Sequence, residues 1–433
     1  EGTPPNKLFV RVKITDTDFQ SAVSMVSINL GTPTEYVLND AGTGGDSVAG
    51  DKIYSTVIEN LSEGNRITNT ISASDAAGNI LTLPPFNHFI PLPQYISTAT
   101  IEAGRMKIPF DNKGAIGDIP NSSGSFDNKI ILYSSGFILS GRNSSGIWAN
   151  GVFGASLIKD YLPGKVGALA EDPLNQIYTV KSTDVPFGDA WQRYRYATQN
   201  GADFYDGNGD GIYAPSDLNL NGVWDANEDA PPLIGDTYSY TVFNDAAPSS
   251  GRRFTSMSPM GFEVKQSVFT KSVPEADFRD VVYIRYTLNY KGTEDYLDSV
   301  IFSCIADPDL GDYTDDQVGY DLLRAGGYVY NTTPDAQFSN RAPSLMITVL
   351  QPPFTYEPGI TYQDVNSNGV YDHGTDIALD TSYIQYGPVL GQKTAYGAKY
   401  IPVSSFIHYI QSNPNIGDPA TPDQMRNLQR GGT

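Results

Sequence analysis

The feature that most constrains this chain is an acidic stretch, rich in glycine and asparagine, that runs from Asp203 to Asp236. Part of it fits the calcium-loop pattern D-x-[DN]-x-[DN]-G-x5-E at every specified position. In such a loop, side chains at positions 1, 3, 5, 9 and 12 and the carbonyl at position 7 surround one cation, while a glycine allows the sharp turn. The predicted ligands of this loop are Asp217, Asn219, Asn221, the Val223 carbonyl, Asp225 and Glu228, with Gly222 at the turn.

A second twelve-residue frame lies directly upstream and has Asp in place of the closing Glu. Asp217 stands at position 12 of this frame and at position 1 of the next, so the spacing predicts that it binds both cations. The ligands predicted for this frame are Asp206, Asn208, Asp210, the Ile212 carbonyl and Asp217.

A third frame begins at Asp364. Thr375 occupies its position 12 and Asp376 follows one residue later, so either Asp376 or Asp380 is expected to close this loop. The remaining predicted ligands are Asp364, Asn366, Asn368, the Val370 carbonyl and Asp372.

The charge pattern favours bound cations over empty loops. No Lys, Arg or His occurs between Arg195 and Arg252, and the same interval holds nine Asp or Glu residues. Crowded carboxylates repel one another unless a cation lies between them. The alternative is a solvated turn without metal, because Asn, Asp and Gly are also ordinary turn residues. Gly201 before the loops and Pro231-Pro232 after them predict that no helix flanks them, which favours a rigid structural role over a calcium sensor.

Two further acidic runs leave the same two interpretations open. Residues 39–51 carry three carboxylates and no base, and residues 294–321 carry nine with no base between Lys291 and Arg324. Each run fits a further metal site or a hydrated loop.

Composition predicts an all-β protein. Gly (42), Pro (29) and Tyr (28) are abundant, and short runs of Val, Ile, Tyr and Thr alternate with turn residues. Residues 1–93 read as an immunoglobulin-like β-sandwich that ends in a proline-rich linker, and residues 94–433 as a large, loop-rich calcium-binding β domain. The strands predicted in the first domain are 8–14, 23–30, 35–39, 53–58, 66–74 and 80–83.

The one helix predicted with defined ends lies near the C-terminus. Thr421-Pro422-Asp423-Gln424 forms a capping box with Pro at the first helical position, and Gly431 occupies a C-cap position. The sequence leaves open whether the second domain is complete beyond it.

Several functions are disfavoured. A net charge of -21 disfavours binding to nucleic acid and to anionic membranes, and no segment has membrane-spanning length. The chain has no G-x-S-x-G, H-E-x-x-H, P-loop or dinucleotide motif, so we do not expect an enzyme of those classes.

Residues 101–433 resemble the large secreted β-proteins of Gram-negative bacteria that are exported by the type IX route. That resemblance implies immunoglobulin-like modules joined to a large β region of unassigned activity. It rests on the order of these short motifs: Asn112-Lys-Gly114, Gly117-Asp118, Gly146-Ile-Trp148, Gly235-Asp236, Phe243-Asn-Asp245, Gly261-Phe-Glu-Val264, Asp307-Pro-Asp-Leu-Gly311, Asp315-Asp316, Gly319-Tyr-Asp321 and Tyr330-Asn331.

Two functions remain open. The first is a calcium-stabilised structural or adhesive protein outside the cell or at its surface, which associates with itself or with other surface proteins in a layer or filament. Calcium binding without disulfides suits that location, since Cys304 is the single cysteine. The second is a module that binds or degrades polysaccharide, with Trp148, Trp191 and Trp224 as a glycan-stacking platform.

Overall fold

The computed structural model describes residues 7–15, 22–62, 66–90, 93–119, 122–152, 160–232, 234–271, 279–294, 297–408 and 419–432. These residues form antiparallel sheets with two short α-helices, so the all-β prediction is confirmed. Neither described helix has the length and apolar character needed to cross a bilayer. The described residues also include 3-10 turns at Pro173–Asn175, Ser249–Gly251 and Tyr313–Asp315.

The N-terminal region is a two-layer sandwich. Strand β1 pairs with β4, and a second sheet has the order β3-β2-β5-β6, with β7 also paired to β5. Val10, Val26 and Ile58 come from both sheets and share one buried cluster, so the two layers enclose a common core. The strands are β1 Leu8–Lys13, β2 Val23–Asn29, β3 Glu35–Leu38, β4 Ile53–Ile58, β5 Arg66–Asp75, β6 Ile80–Thr82 and β7 Phe86–Phe89.

All six strands predicted in this region are confirmed to within a residue or two, and β5 pairs with β6 as expected. The predicted linker is partly wrong, because β7 lies within it and pairs with the start of β5. Residues 91–92 of that linker lie outside the described residues. The assignment to the immunoglobulin-like class stays a prediction.

Two facing sheets form the body of the second region. An eight-stranded sheet has the order β12-β11-β9-β10-β13-β14, with β8 on β9 and β20 on β13, and a five-stranded sheet has the order β15-β17-β18-β19, with β16 on β17. Their strands are β8 Thr98–Ala103, β9 Met106–Asp111, β10 Ile116–Gly117, β11 Gly124–Phe126, β12 Lys129–Leu132, β13 Ser134–Asn143, β14 Gly146–Val152, β15 Leu162–Pro163, β16 Tyr178–Lys181, β17 Thr237–Asn244, β18 Phe262–Thr270, β19 Tyr283–Tyr290 and β20 Asp298–Asp307.

The core between these sheets is largely aromatic. Phe137 of β13 stacks on Phe243 of β17, with ring centroids 6.2 Å apart. Phe262 and Trp148 lie in the same cluster, with ring centroids 5.3 Å apart. Since these side chains come from both sheets, their burial holds the two layers together.

The outer face of the five-stranded sheet is covered by helix α1, Asp189–Gln199. Trp191, Tyr194 and Ala197 form its buried face, and the Tyr194 and Tyr238 rings meet edge to face at 6.4 Å. Strand β17 is therefore buried on both sides, by the second sheet and by α1. This helix was not predicted. It ends at Gln199, and residues 200–205 separate it from Asp206, so the loops themselves are free of helix, as the sequence predicts.

Helix α2, Pro422–Gln429, confirms the predicted C-terminal helix. The Thr421 hydroxyl accepts a hydrogen bond from the Gln424 backbone N–H at 3.2 Å, and Gly431 has a φ of +75°. Arg426 donates to the Ser299 carbonyl of β20 at 2.7 Å, so α2 is attached to the eight-stranded sheet.

The remaining strands form small sheets. Residues 364–376 connect the paired strands β25 and β26, and residues 206–229 lie between α1 and β17. The strands are β21 Gln317–Asp321, β22 Gly326–Tyr330, β23 Leu345–Thr348, β24 Phe354–Thr355, β25 Tyr362–Gln363, β26 Ile377–Ala378, β27 Thr381–Tyr383, β28 Lys393–Tyr396 and β29 Lys399–Tyr400.

Candidate metal centre

We number the candidate loops by chain order: loop 1 begins at Asp206, loop 2 at Asp217 and loop 3 at Asp364. In loop 2 the Asp217 carboxylate anchors the turn. It accepts hydrogen bonds from the backbone N–H groups of Asn221 at 3.1 Å and of Gly222 at 2.7 Å. Gly222 has a φ of +76°, a left-handed conformation that glycine adopts without steric cost.

The asparagines of loop 2 converge on one carboxylate oxygen. Their side-chain Nδ2 groups donate to Asp225 Oδ2 at 2.7 Å from Asn219 and 2.9 Å from Asn221. The Oδ1 atoms of the same asparagines accept the backbone N–H groups of Asn221 at 3.0 Å and Val223 at 2.7 Å. An amide oxygen has two lone pairs, so each Oδ1 can also face a cation.

Glu228 closes loop 2. Its side chain is nearly buried, with 2% of the residue exposed. The carboxylate accepts the N–H of Leu218 (position 2) at 2.6 Å and the N–H of Asp225 (position 9) at 2.9 Å. One carboxylate thus joins the beginning of the loop to its end.

Loop 3 repeats this network atom by atom. Asp364 accepts the N–H groups of Asn368 at 3.2 Å and Gly369 at 2.7 Å. The Nδ2 groups of Asn366 and Asn368 both donate to Asp372 at 2.7 Å, and these hydrogen bonds lower the pKa of Asp372.

The carboxylate that closes loop 3 is Asp376. It is 8% exposed and accepts the N–H groups of Val365 (position 2) and Asp372 (position 9), both at 2.8 Å. The extra residue in this loop compensates for a side chain one methylene shorter than that of Glu228. Asp380, the other residue considered for this role, accepts instead from the Thr381 N–H at 2.7 Å.

Loop 1 has the same anchor. Asp206 accepts the N–H groups of Gly209 at 2.8 Å and Gly211 at 2.9 Å, and Gly211 has a φ of +74°. Asn208 accepts the Asp210 N–H at 2.9 Å and donates through Nδ2 to the Asp210 carboxylate at 3.1 Å.

The closing residue of loop 1 differs from the one the spacing predicts. Asp229 accepts the N–H groups of Gly207 (position 2) at 3.1 Å and Ala214 (position 9) at 2.8 Å, and it is 2% exposed. This is the contact pattern of Glu228 and Asp376. Asp229 therefore has the same place in the hydrogen bonds of loop 1 that Glu228 has in loop 2, while the hydrogen bonds that Asp217 accepts come from loop 2. That Asp217 binds the cation of loop 1 stays a prediction.

Each loop is attached to its surroundings by an aromatic residue at position 8. Tyr213 of loop 1 meets Tyr194 of α1 edge to face at 5.6 Å, and Trp224 of loop 2 meets Tyr205 at 5.4 Å. Tyr371 of loop 3 stacks on Tyr356 at 5.3 Å. These contacts attach loop 1 to helix α1, loop 2 to the residue that precedes loop 1, and loop 3 to the residue that follows β24.

The residues at position 7 contribute no polar side chain. Ile212, Val223 and Val370 are 65%, 60% and 61% exposed, so only their carbonyl groups remain as ligands. Every other donor in the three loops is a carboxylate or amide oxygen. Oxygen-only donor sets suit hard cations such as Ca²⁺.

The two additional acidic runs stay predictions. Among the described residues, the set of three carboxylates with one oxygen from each within 4.8 Å of the others is Asp40, Asp46 and Asp51. In the other run, burial, together with the nearby carboxylates of Asp307 and Asp316, raises the pKa of Asp309 to about 6. Asp295 lies outside the described residues.

A separate charged cluster is fully buried at one end of the large sandwich. Arg252, 1% exposed, donates to the carbonyls of Asp245 at 2.7 Å and Ala247 at 3.2 Å and lies 3.8 Å from the Asp245 carboxylate. Burial raises the pKa values of Asp160 and Asp245 above the ordinary value of an aspartate, and the Arg252 charge offsets only part of this increase. These contacts join the segments around Asp160, Asp245 and Arg252.

The tryptophans do not form the platform considered for glycan binding. Trp148 and Trp191 are 3% and 2% exposed, and the Trp224 indole donates to the Glu228 carbonyl at 2.9 Å. All three therefore contribute to the core or to a loop.

No family model, curated protein or solved structure matches this chain.

Proposed function

We propose that this chain is a structural or adhesive protein of the cell surface or extracellular space, in which calcium ions in loops 1, 2 and 3 rigidify the second β region. One observation carries the proposal: the three loops have the same pattern of hydrogen bonds. In each loop, a nearly buried carboxylate accepts hydrogen bonds from the backbone N–H groups at positions 2 and 9. Buried carboxylates without a basic partner in the loop are stabilised by a bound cation.

The chemistry of such sites supports a location outside the cell. Loops 2 and 3 have neutral asparagines at two ligand positions and loop 1 has one, and fewer charged ligands give weaker calcium sites. Millimolar extracellular calcium fills weak sites that cytosolic calcium leaves empty. The resemblance to proteins of the type IX route agrees with this location.

Association with another copy or another surface protein is supported by strand β20. Its eight residues between Asp298 and Asp307 contain no charge and no proline, and Val300 is 45% exposed. In the described part of the chain, β20 pairs with β13 alone. An apolar strand at the edge of a sheet is a template for pairing with another chain.

The test is the calcium content of the purified protein. After dialysis against millimolar calcium, elemental analysis and calorimetry should find three ions per chain assigned to the loops. A triple variant, Asp206→Asn, Asp217→Asn and Asp364→Asn, should lose them. Absence of bound calcium in the parent protein would refute the proposal. Sedimentation with and without calcium tests the association.

A further inference from the structure

Loop 2 is nested inside loop 1. The residue before loop 1, Tyr205, forms an antiparallel bridge with Ala230, the residue after Asp229. Loop 3 has the same outer boundary, because Gln363 before Asp364 pairs with Ile377 after Asp376. The structural equivalent of loop 3 is thus the whole segment 206–229, with loop 2 inserted before the closing carboxylate.

The two nested loops are also in direct contact. A Cβ atom added to Gly207 of loop 1 would lie 2.3 Å from the Glu228 carbonyl oxygen and 2.4 Å from its nitrogen, so the two backbones touch. The Tyr205 hydroxyl donates to the Ala226 carbonyl of loop 2 at 2.8 Å. Neither loop can change its closing segment without moving the other.

We infer that loops 1 and 2 bind their two cations with positive cooperativity, because the dipeptide Glu228–Asp229 closes both loops. This inference rests on the proposed calcium binding. Glu228 serves loop 2 and Asp229 serves loop 1, and each is 2% exposed. The first cation to bind fixes the position of both carboxylates. The second cation then binds a segment that is already ordered, so its binding loses less conformational entropy. Loop 3 has its own closing residue and its own strand pair, so it should bind independently.

The experiment uses the full chain and terbium(III) as the probe, because Trp224 lies within loop 2 and can sensitise terbium emission from that loop. Asp229→Asn leaves every residue of loop 2 intact. We expect it to raise the terbium concentration at half-maximal Trp224-sensitised emission by about five-fold or more, within the usual range of coupling between sites. Asp206→Asn disables loop 1 without touching the dipeptide and should give the same shift.

Three controls define the measurement. Trp224→Phe should remove the signal, which assigns it to loop 2. Asp376→Asn in loop 3 and Glu171→Gln at an exposed site outside the loops should leave the midpoint unchanged. Far-ultraviolet circular dichroism checks that each variant keeps its β-structure, and Asp206→Asn provides the decisive result if Asp229→Asn fails to fold.

The outcomes separate this inference from the proposed function. If the parent protein binds three calcium ions by calorimetry, and both loop 1 variants leave the loop 2 midpoint unchanged, the cooperativity is overturned while the calcium function stands. If the parent protein binds no calcium, the proposed function itself fails. A weaker loop 2 in both variants, with loop 3 unaffected, supports the nested pair.

Discussion

Removal of calcium should lower the melting temperature of the second region by about 6 °C. A ligand at ten times its dissociation constant stabilises the folded state by about 1.4 kcal/mol per site, so three sites contribute about 4 kcal/mol. The entropy of unfolding is about 2.1 cal/mol/K per residue, or about 0.7 kcal/mol/K for the roughly 340 residues of 94–433. The ratio of these two quantities gives the shift.

Tryptophan fluorescence is the appropriate assay. Trp148, Trp191 and Trp224 all lie in the second region, so the signal does not report on residues 1–93. Melting curves are compared in calcium at about ten times the measured dissociation constant and in excess chelator. Magnesium at the same concentration is the control for ionic strength and charge screening.

The triple variant of the loop aspartates provides the matched control. It should melt at the lower temperature in both buffers, because it lacks the anchoring carboxylates at position 1. If the parent protein melts at one temperature with and without chelator, the reasoning that calcium stabilises these loops is refuted.

Three further predictions address single residues. Asp376→Ala should abolish calcium binding by loop 3 in calorimetry, whereas Asp380→Ala should not; equal losses would contradict the assignment of the closing residue. Because burial raises the pKa of Asp309 to about 6, the folded state retains this proton when the unfolded state has lost it, so stability falls as pH rises from about 4 to about 6. Asp309→Asn should remove that dependence in urea unfolding, and an unchanged pH profile would contradict the raised pKa. Arg252→Met should cost about 3–5 kcal/mol in denaturant unfolding, because it leaves buried carboxylates without a counter-charge, and adding Asp245→Asn should recover part of the loss; a loss below about 1 kcal/mol would argue against the cluster's role.

Local patterns determined most of the first region and the C-terminal helix. Alternation of apolar and polar residues defines a strand such as β1, because successive side chains of a strand point to opposite faces. The capping box at Thr421 acts within one helical turn, so its outcome depends little on the rest of the fold. Helix α1 was not predicted because its tyrosines also suit strands, and contact with β16 and β17 buries Tyr194 and Ala197 on one face of the helix.

In the calcium loops too, local sequence determines some contacts and tertiary structure determines others. The anchoring Asp at position 1, the Asn or Asp at positions 3 and 5 and the glycine at position 6 are within a few residues of one another, so the sequence alone determines their contacts. The closing carboxylate must return from a distance to meet positions 2 and 9. For loop 1 the spacing indicates Asp217, but the Tyr205–Ala230 bridge brings Asp229 to that place. Pairing between distant segments determines which carboxylate contacts positions 2 and 9. A twelve-residue sequence pattern cannot predict that pairing, because the paired residues lie outside it.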